Sequence, residues 1–343
     1  MKTLRSPRFW IGIAISFLCL WLAFRNLDWS EMQNTLYNAR LLWLVPAILI
    51  QFLAVWTRAR RWAALLDRKG LVTNAFWSHS IGFLFTNVLP FRLGEAARAV
   101  VMSERSNIPF FQVAASILVE RILDVAIVLI GLAGVLPFIP QIPPLISRAG
   151  LTFGAIVVVA LIVLAIVVRF RSFGERVLSA FLKRLPFLPA NAIMGRWREL
   201  VDGLAPLLRW RSAGAAIFWT IAAWACSLSI YWFVMRAFQP DATWIEAIFI
   251  IVTLALAISI PSSPGFIGVF QYAGQQALVL PFAGKYSDST ALAITMVAWL
   301  VYFVITTLLG MVALWQMGES FSKIGRLISS RASKPGENLA QEE

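Results

Sequence analysis

Residues 89–100 read LPFRLGEAARAV, which sets Pro90, Arg92, Gly94, Glu95 and Arg98 inside an otherwise apolar chain. Proline and glycine interrupt helices, and each charge at the centre of a membrane helix costs roughly 2.5–3.5 kcal/mol on insertion scales. The surroundings make the stretch unusual. The 343 residues are 59% hydrophobic and 14% charged, with a mean hydropathy of +0.77. A soluble domain carries about 25% charged residues, so this chain lacks the polar surface to cover a fold in water. Runs such as 151–168 and 213–234 are long enough to cross a bilayer core of about 30 Å. The class that follows is an all-α polytopic membrane protein.

The net charge of +13 raises the question of nucleic acid, but the basic residues lie between apolar runs. That distribution fits topology signals and contact with anionic lipid heads, and the fifteen Trp fit the membrane–water interface. Two cysteines, Cys19 and Cys226, sit in separate apolar segments and supply neither a disulfide framework nor a metal site. No cofactor or metal is implied. The run 9–24 follows Lys2, Arg5 and Arg8 as a secretory signal would, yet continues into Arg25, Asp28 and Trp29 with no small-x-small cleavage site. It reads as a retained first transmembrane helix.

Six crossings are expected, at about 9–25, 41–60, 112–137, 150–169, 212–237 and 288–316. Two further stretches do not fit single spans. Residues 75–108 contain Asn87, Pro90 and Gly94, and residues 242–282 contain Pro261, Pro264, Gly265 and Gly268. Each predicts a re-entrant helical hairpin, since non-helical backbone at membrane depth is tolerated only where protein buries it or it lines a wet cavity. With six crossings and two hairpins, the basic segments 58–69, 169–211 and the C-terminal tail all fall on one side. By the positive-inside rule that side is cytoplasmic, with both termini inside a cell inner membrane.

The units 41–137 and 212–316 then each consist of helix, hairpin, helix. PFRLG (90–94) and PGFIG (264–268) share a Pro-x-x-x-Gly spacing at matching places, and the single crossing between the units would invert the second. Inverted repeats with broken helices near the midplane are a common transporter plan, with substrate bound where the breaks meet. Half-helix N-termini at such a break favour anions. Residues 170–211 predict helices lying in the cytoplasmic interface or packed on the bundle, with Trp197, Val201 and Leu204 on the apolar face. Within the transmembrane domain 1–320 these make one body; the tail 321–343 is expected to be disordered.

The intramembrane charges nominate the site. Arg92, Glu95 and Arg98 belong to the first hairpin, and Glu120, Arg121 and Asp124 to the following helix. Glu120 and Asp124 share a face, Glu95 and Arg98 are spaced to pair on one helix, and Arg92 remains for Glu120, Asp124 or an anionic ligand. Arginine's planar donor fork suits phosphate. The alternative is an ion-pair network that pins the hairpin in place. In the second hairpin Ser262, Ser263 and Gln271 offer polar groups, or else small residues that let helices approach. His79, the single histidine, is expected in helix packing. Arg236 and Glu246 are expected at membrane edges.

PFRLGEAAR (90–98) resembles the motif Pro-x-Arg-x-Gly-Glu-x-x-Arg, ERILD (120–124) resembles Glu-Arg-x-x-Asp, and PSSPGFIGVFQ (261–271) resembles Pro-Gly-Gly-x-Gly-x-x-Glu. In that order they are similar to the transmembrane region of the lysylphosphatidylglycerol synthases, the flippase-like family. The resemblance implies movement of an aminoacylated phospholipid between leaflets. Phe266 stands for the motif's second glycine and Gln271 for its acid, and the chain ends soon after its last apolar run. Lipid aminoacylation by this chain is therefore not expected.

The leading expectation is a non-enzymatic lipid transporter that moves an anionic or aminoacylated amphiphile between leaflets. Its partners would be anionic membrane lipids, with a second copy or a lipid-modifying enzyme as possible protein partners, and no nucleic acid. The alternatives are a membrane enzyme using Glu95, Glu120 or Asp124 on a lipid head, and a non-transporting protein that delivers lipid to another enzyme.

Overall fold

A computed structural model describes residues 7–68, 70–89, 93–139, 169–184, 189–259, 262–282 and 284–333, with individual positions between 148 and 167. Pro90, Arg92 and Pro261, most of the expected crossing 150–169 and the tail from 334 lie outside the described residues. Among the described residues every regular element is helical, and there are thirteen α-helices. They are α1 (Pro7–Phe24), α2 (Trp29–Tyr37), α3 (Leu44–Leu66), α4 (Val72–Val88), α5 (Leu93–Ser106), α6 (Phe110–Val135) and α7 (Arg171–Lys183). The remainder are α8 (Ala190–Leu204), α9 (Trp210–Phe238), α10 (Trp244–Ala257), α11 (Val269–Val279), α12 (Asp288–Gln316) and α13 (Phe321–Ser333).

This is a membrane protein. Among the described residues three helices are long and apolar enough to cross a membrane: α3 with its preceding turn, α9 and α12. There are four if α1 and α2, bent by 84°, form one broken span. Helix α6 has 26 residues, about 39 Å at 1.5 Å per residue. The charges Glu120, Arg121 and Asp124 in its middle set it apart from the plainly apolar spans.

Helices α3 and α9 form the central pair. They run antiparallel, because Arg40 reaches the end of α9 through the Ala237 carbonyl while Asp67 meets Arg209 and Ser212 at its start. Helix α4 folds back on α5. Asn74 at one end meets Ser106 at 3.2 Å, and a Cβ at Gly94 would press on the Gly82 carbonyl and Thr86 near the other. Gly94 therefore serves close packing from inside the first turn of α5, rather than breaking the chain as its type suggested. Asn87 likewise lies within α4.

Helices α10 and α11 make the second hairpin, joined through a turn at Pro264–Phe266. Gly265 (φ +66°), Phe266 (+59°) and Gly268 (+90°) all adopt left-handed backbone there. Glycine does so freely, whereas a side chain in this region costs roughly 1–2 kcal/mol. The left-handed φ at 266 accounts for a glycine in the motif, and Phe266 occupies the position with that strain.

Helix α8 packs on α6, where a Cβ at Gly203 would lie 2.4 Å from the Gln112 carbonyl. Val201 and Leu204 are buried, so packing on the bundle is the role these residues take. Residues 321–333 are helical where composition suggested disorder. Ile324 is fully buried and Phe321 stacks on Phe85 with ring centroids 4.8 Å apart; three apolar residues at helical spacing, with Ile328, dock α13 on α4 and α5.

Candidate functional site

The sequence of α6 places Glu120 and Asp124 one turn apart on a single face. Arg61 of α3 spans both. Its Nη2 donates to Glu120 Oε1 at 2.6 Å, and its Nη1 donates to Asp124 Oδ1 at 2.5 Å. Both Arg61 and Glu120 are essentially inaccessible, with side chains 1% exposed. Arg98 of α5 approaches Glu120 from the other side, its Nη1 3.1 Å from Oε2. The same Nη1 lies 3.0 Å from His79 Nδ1. The Arg98 guanidinium rests over the Trp62 ring at 5.0 Å, while Trp62 Nε1 donates to Ser116 Oγ at 3.0 Å. Trp224 of α9 adds a donor to Asp124 at 3.0 Å. One buried carboxylate thus joins α3, α5 and α6, and Asp124 adds α9.

A second, wetter pair lies beside this centre. Arg121 is 3.1 Å from Glu95, 3.4 Å from Asp124 and 3.6 Å from Glu120. The Arg121 and Glu95 side chains are 45% and 39% exposed. Glu95 and Arg98 do not form the expected i,i+3 pair, because each finds a stronger partner on α6. The structure therefore gathers Glu95, Arg98, Glu120, Arg121 and Asp124 into one cluster.

Arg61 was absent from the sequence-derived site. In a run of five basic residues between apolar stretches it read as a topology signal. The available clue was the apolar continuation WAALL (62–66), which carries α3 past the charges. Arg58 lies one turn before Arg61, eight residues from the Leu66 end and fourteen from the Leu44 end of α3. That is about 12 and 21 Å along the axis. Its guanidinium donates to Ser227 Oγ at 2.8 Å and the Ala54 carbonyl at 3.2 Å. Among the described residues no Asp or Glu oxygen lies within 4.0 Å of it. Arg60 turns to another face and rests over Trp56 and Trp219. Four arginines, 58, 61, 98 and 121, thus face three carboxylates. Two buried donors, Arg61 Nε and Arg98 Nη2, have no hydrogen-bond partner among the described residues.

The second-hairpin candidates are placed elsewhere. Gln271 is buried and its Oε1 accepts the Gly268 N–H at 2.7 Å, capping its own helix. The Ser263 N–H donates to Ser16 Oγ of α1, and Ser263 Oγ to the Ile267 carbonyl. A Cβ at Gly268 would lie 2.2 Å from the Ser16 carbonyl. These residues seat α11 against α1, and none bonds to the arginine–carboxylate cluster. Ser262 Oγ is buried with no partner among the described residues.

The turn nevertheless meets the first hairpin. A Cβ at Gly265 would come 3.4 Å from the Asn87 carbonyl oxygen. Asn87 Nδ2 donates to Thr306 and Thr307 of α12 at 3.0 Å each, and Trp299 Nε1 donates to the Gly265 carbonyl at 2.8 Å. Away from the site, Glu246 is buried in the first turn of α10, where Lys285 (2.6 Å) and Tyr286 (2.8 Å) hold it. It is a buried, paired charge at the start of its helix.

Residues 9–310 match the family model described as the lysylphosphatidylglycerol synthase TM region. The chain belongs to that family. Arg61, Glu95, Arg98, Glu120, Arg121 and Asp124 all lie inside the matched range. A curated relative, glycosyltransferase AglD of Haloferax volcanii, is 34% identical over 131 residues. That match covers 36% of this family member and 20% of the relative, so the chain spans about one fifth of that protein's length. No solved structure matches.

Proposed function

We propose that the protein moves an amphiphile with an anionic head, a phospholipid in the simplest case, between the leaflets of a cell inner membrane. The observation that carries this reading is Arg58. A half-buried guanidinium near the middle of a spanning helix, with no carboxylate partner among the described residues, leaves the described part of the polar cluster one positive charge in excess. An uncompensated charge at that depth is costly, and an anionic head that enters beside it supplies the missing partner. Arg61 Nε and Arg98 Nη2 add donors without partners among the described residues. Arg121 and Glu95 form the more exposed edge of the cluster, where a head would meet it first.

The packing supports alternating access through an inverted repeat of 41–137 and 212–316. Helices α3 and α9 pair antiparallel, as inverted equivalents must. Helix α4 of the first unit packs on α12 of the second, where a Cβ at Gly310 would lie 2.7 Å from the Ser80 carbonyl. The counterpart α10 packs on α6, with Gly131 against Val252 and Ile248. The turn of the second hairpin meets the last turn of α4, Gly265 against the Asn87 carbonyl. On this reading α4–α5 and α10–α11 are re-entrant, and six crossings, one of them about 150–169, place both termini in the cytoplasm.

Lipid or glycan metabolism at a membrane is common ground for the family name and for the relative's name. The enzyme alternative draws less support, because Glu120 and Asp124 are each tied to arginines and so poorly placed to exchange protons. Proteoliposomes that carry fluorescent phosphatidylglycerol or phosphatidylcholine, with a membrane-impermeant quencher outside, test the reading. Faster loss of inner-leaflet protection for the anionic lipid is expected. Unchanged exchange of both lipids, with the head group altered by mass spectrometry, would replace transport by enzymatic modification.

A further inference from the structure

Residues 25–40 read in sequence as a short loop, yet they hold a second polar site. Helix α2 begins at an N-cap, Asp28, whose side chain accepts the Ser30 and Glu31 N–H groups. The helix then lies on the start of α12. The Asp28 N–H donates to Ser289 Oγ at 3.1 Å, and the hydroxyls of Thr35 and Thr290 are 3.4 Å apart. Glu31, Asn34, Thr35 and Asn38 follow i, i+3, i+4, i+7 spacing, so one face of α2 is wholly polar. That face lines an open surface groove of about 430 Å³ with Ser30, Phe238, Gln239 and Thr290, in which Asn34 and Asn38 stay exposed. The other side of α2 exposes Trp29, Leu36 and Tyr37, the last 91% exposed. Gln33 is exposed among them, on the side away from the groove, and Met32 is buried.

The chemistry of the lining narrows the ligand. Among the described residues nothing bonds to the carboxylate of Glu31 or to the carboxamides of Asn34 and Asn38. The lining holds one acid and no Lys or Arg, which disfavours phosphate and separates this groove from the arginine cluster. An ammonium ion donates only and would leave the carboxamide N–H groups unmatched. A sugar hydroxyl both donates and accepts, as a carboxamide does, and its second lone pair or proton is met by Glu31 or Thr290. Phe238 offers an apolar surface to the C–H face of a ring. We infer that this groove binds a polyhydroxylated ring, a hexosyl group either free or as the head of a glycolipid. The inference does not depend on the transport reading.

The test uses the full chain in phosphatidylcholine nanodiscs free of sugar detergents, titrated with methyl β-D-glucopyranoside and read by saturation-transfer NMR. Saturable binding with a dissociation constant on the order of millimolar is expected. Asn34→Ala with Asn38→Ala weakens it at least tenfold, and Glu31→Gln weakens it separately, while Tyr37→Ala leaves it unchanged. Equal thermal unfolding midpoints show that each variant folds. Competition by a glucosyl diacylglycerol in the nanodisc assigns the site to lipid-linked sugar, and its absence assigns it to free sugar. Non-saturable signal, binding unchanged in both the double variant and Glu31→Gln, or saturation by lysine amide in place of the glucoside would overturn the inference.

Discussion

Replacing Glu120 by Gln asks the most of the charge cluster. The substitution keeps volume and one oxygen but removes the charge that Arg61 holds at 2.6 Å and Arg98 at 3.1 Å. An amide N–H₂ then faces a guanidinium. Removing one partner of a buried pair costs about 3–5 kcal/mol, chiefly because the surviving charge stays buried. Arg61 keeps Asp124, while Arg98 keeps the His79 ring nitrogen and the face of Trp62, so the expected loss is near the lower end, about 3 kcal/mol. Glu95→Gln is the internal comparison. Its pair with Arg121 is 39–45% exposed, and such pairs contribute only about 0–1 kcal/mol. Reversible unfolding in bicelles, followed by tryptophan fluorescence, measures both. Adding Arg98→Met to Glu120→Gln should recover part of the loss, since the orphaned charge is gone. The reasoning fails if Glu120→Gln costs no more than Glu95→Gln, or if Arg98→Met deepens the loss.

Three further outcomes follow from the packing. Gly94→Ala places a Cβ 2.0 Å from the Gly82 carbonyl and 2.1 Å from Thr86 Oγ1, and should destabilise by about 1–3 kcal/mol or more. Gly82→Ala meets nothing closer than 3.0 Å and should be milder in the same unfolding assay. Gly268→Ala should loosen α1 from α11, both through the Ser16 carbonyl and through its φ of +90°, which hydrogen exchange at α1 would report as faster. The Ser30 hydroxyl, then the Glu31 N–H, hold the Asp28 carboxyl below the ordinary carboxylate range. The folded value is thus depressed, so α2 gains stability above about pH 4, the unfolded value. It loses that stability as pH falls through the folded value. Hydrogen exchange of α2 should accelerate in that acid window, and Asp28→Asn should remove the dependence.

Much of the fold was legible because its signals are local. The apolar run 288–316 coincides with α12, and 212–237 falls within α9. The turn between α10 and α11 follows from Pro264, Gly265 and Gly268, whereas Asn87 and Gly94 lie inside α4 and α5. Helix α3 was cut short at 60 because arginine reads as a helix flank, whereas Arg58 and Arg61 here face protein on a continuing helix. The pairing of Glu95 with Arg121 was hidden for a different reason. Spacing along one helix shows which residues can meet, but the choice between Arg98 and Arg121 is made by α6 packing beside α5. Gln271 was legible as a departure from the motif; its role as a cap came only with the left-handed turn at Gly268. The groove on α2 left a trace in sequence as the spacing of Glu31, Asn34, Thr35 and Asn38, masked by the brevity of the helix.

The central claim rests on Arg58, and leaflet exchange in proteoliposomes tests it most directly. Arg58→Gln keeps a polar side chain and removes the excess charge. The account predicts that this variant unfolds at the wild-type midpoint or above it, yet loses accelerated exchange of phosphatidylglycerol. Wild-type exchange rates in Arg58→Gln, or equal exchange of phosphatidylcholine and phosphatidylglycerol by the wild type, would contradict it.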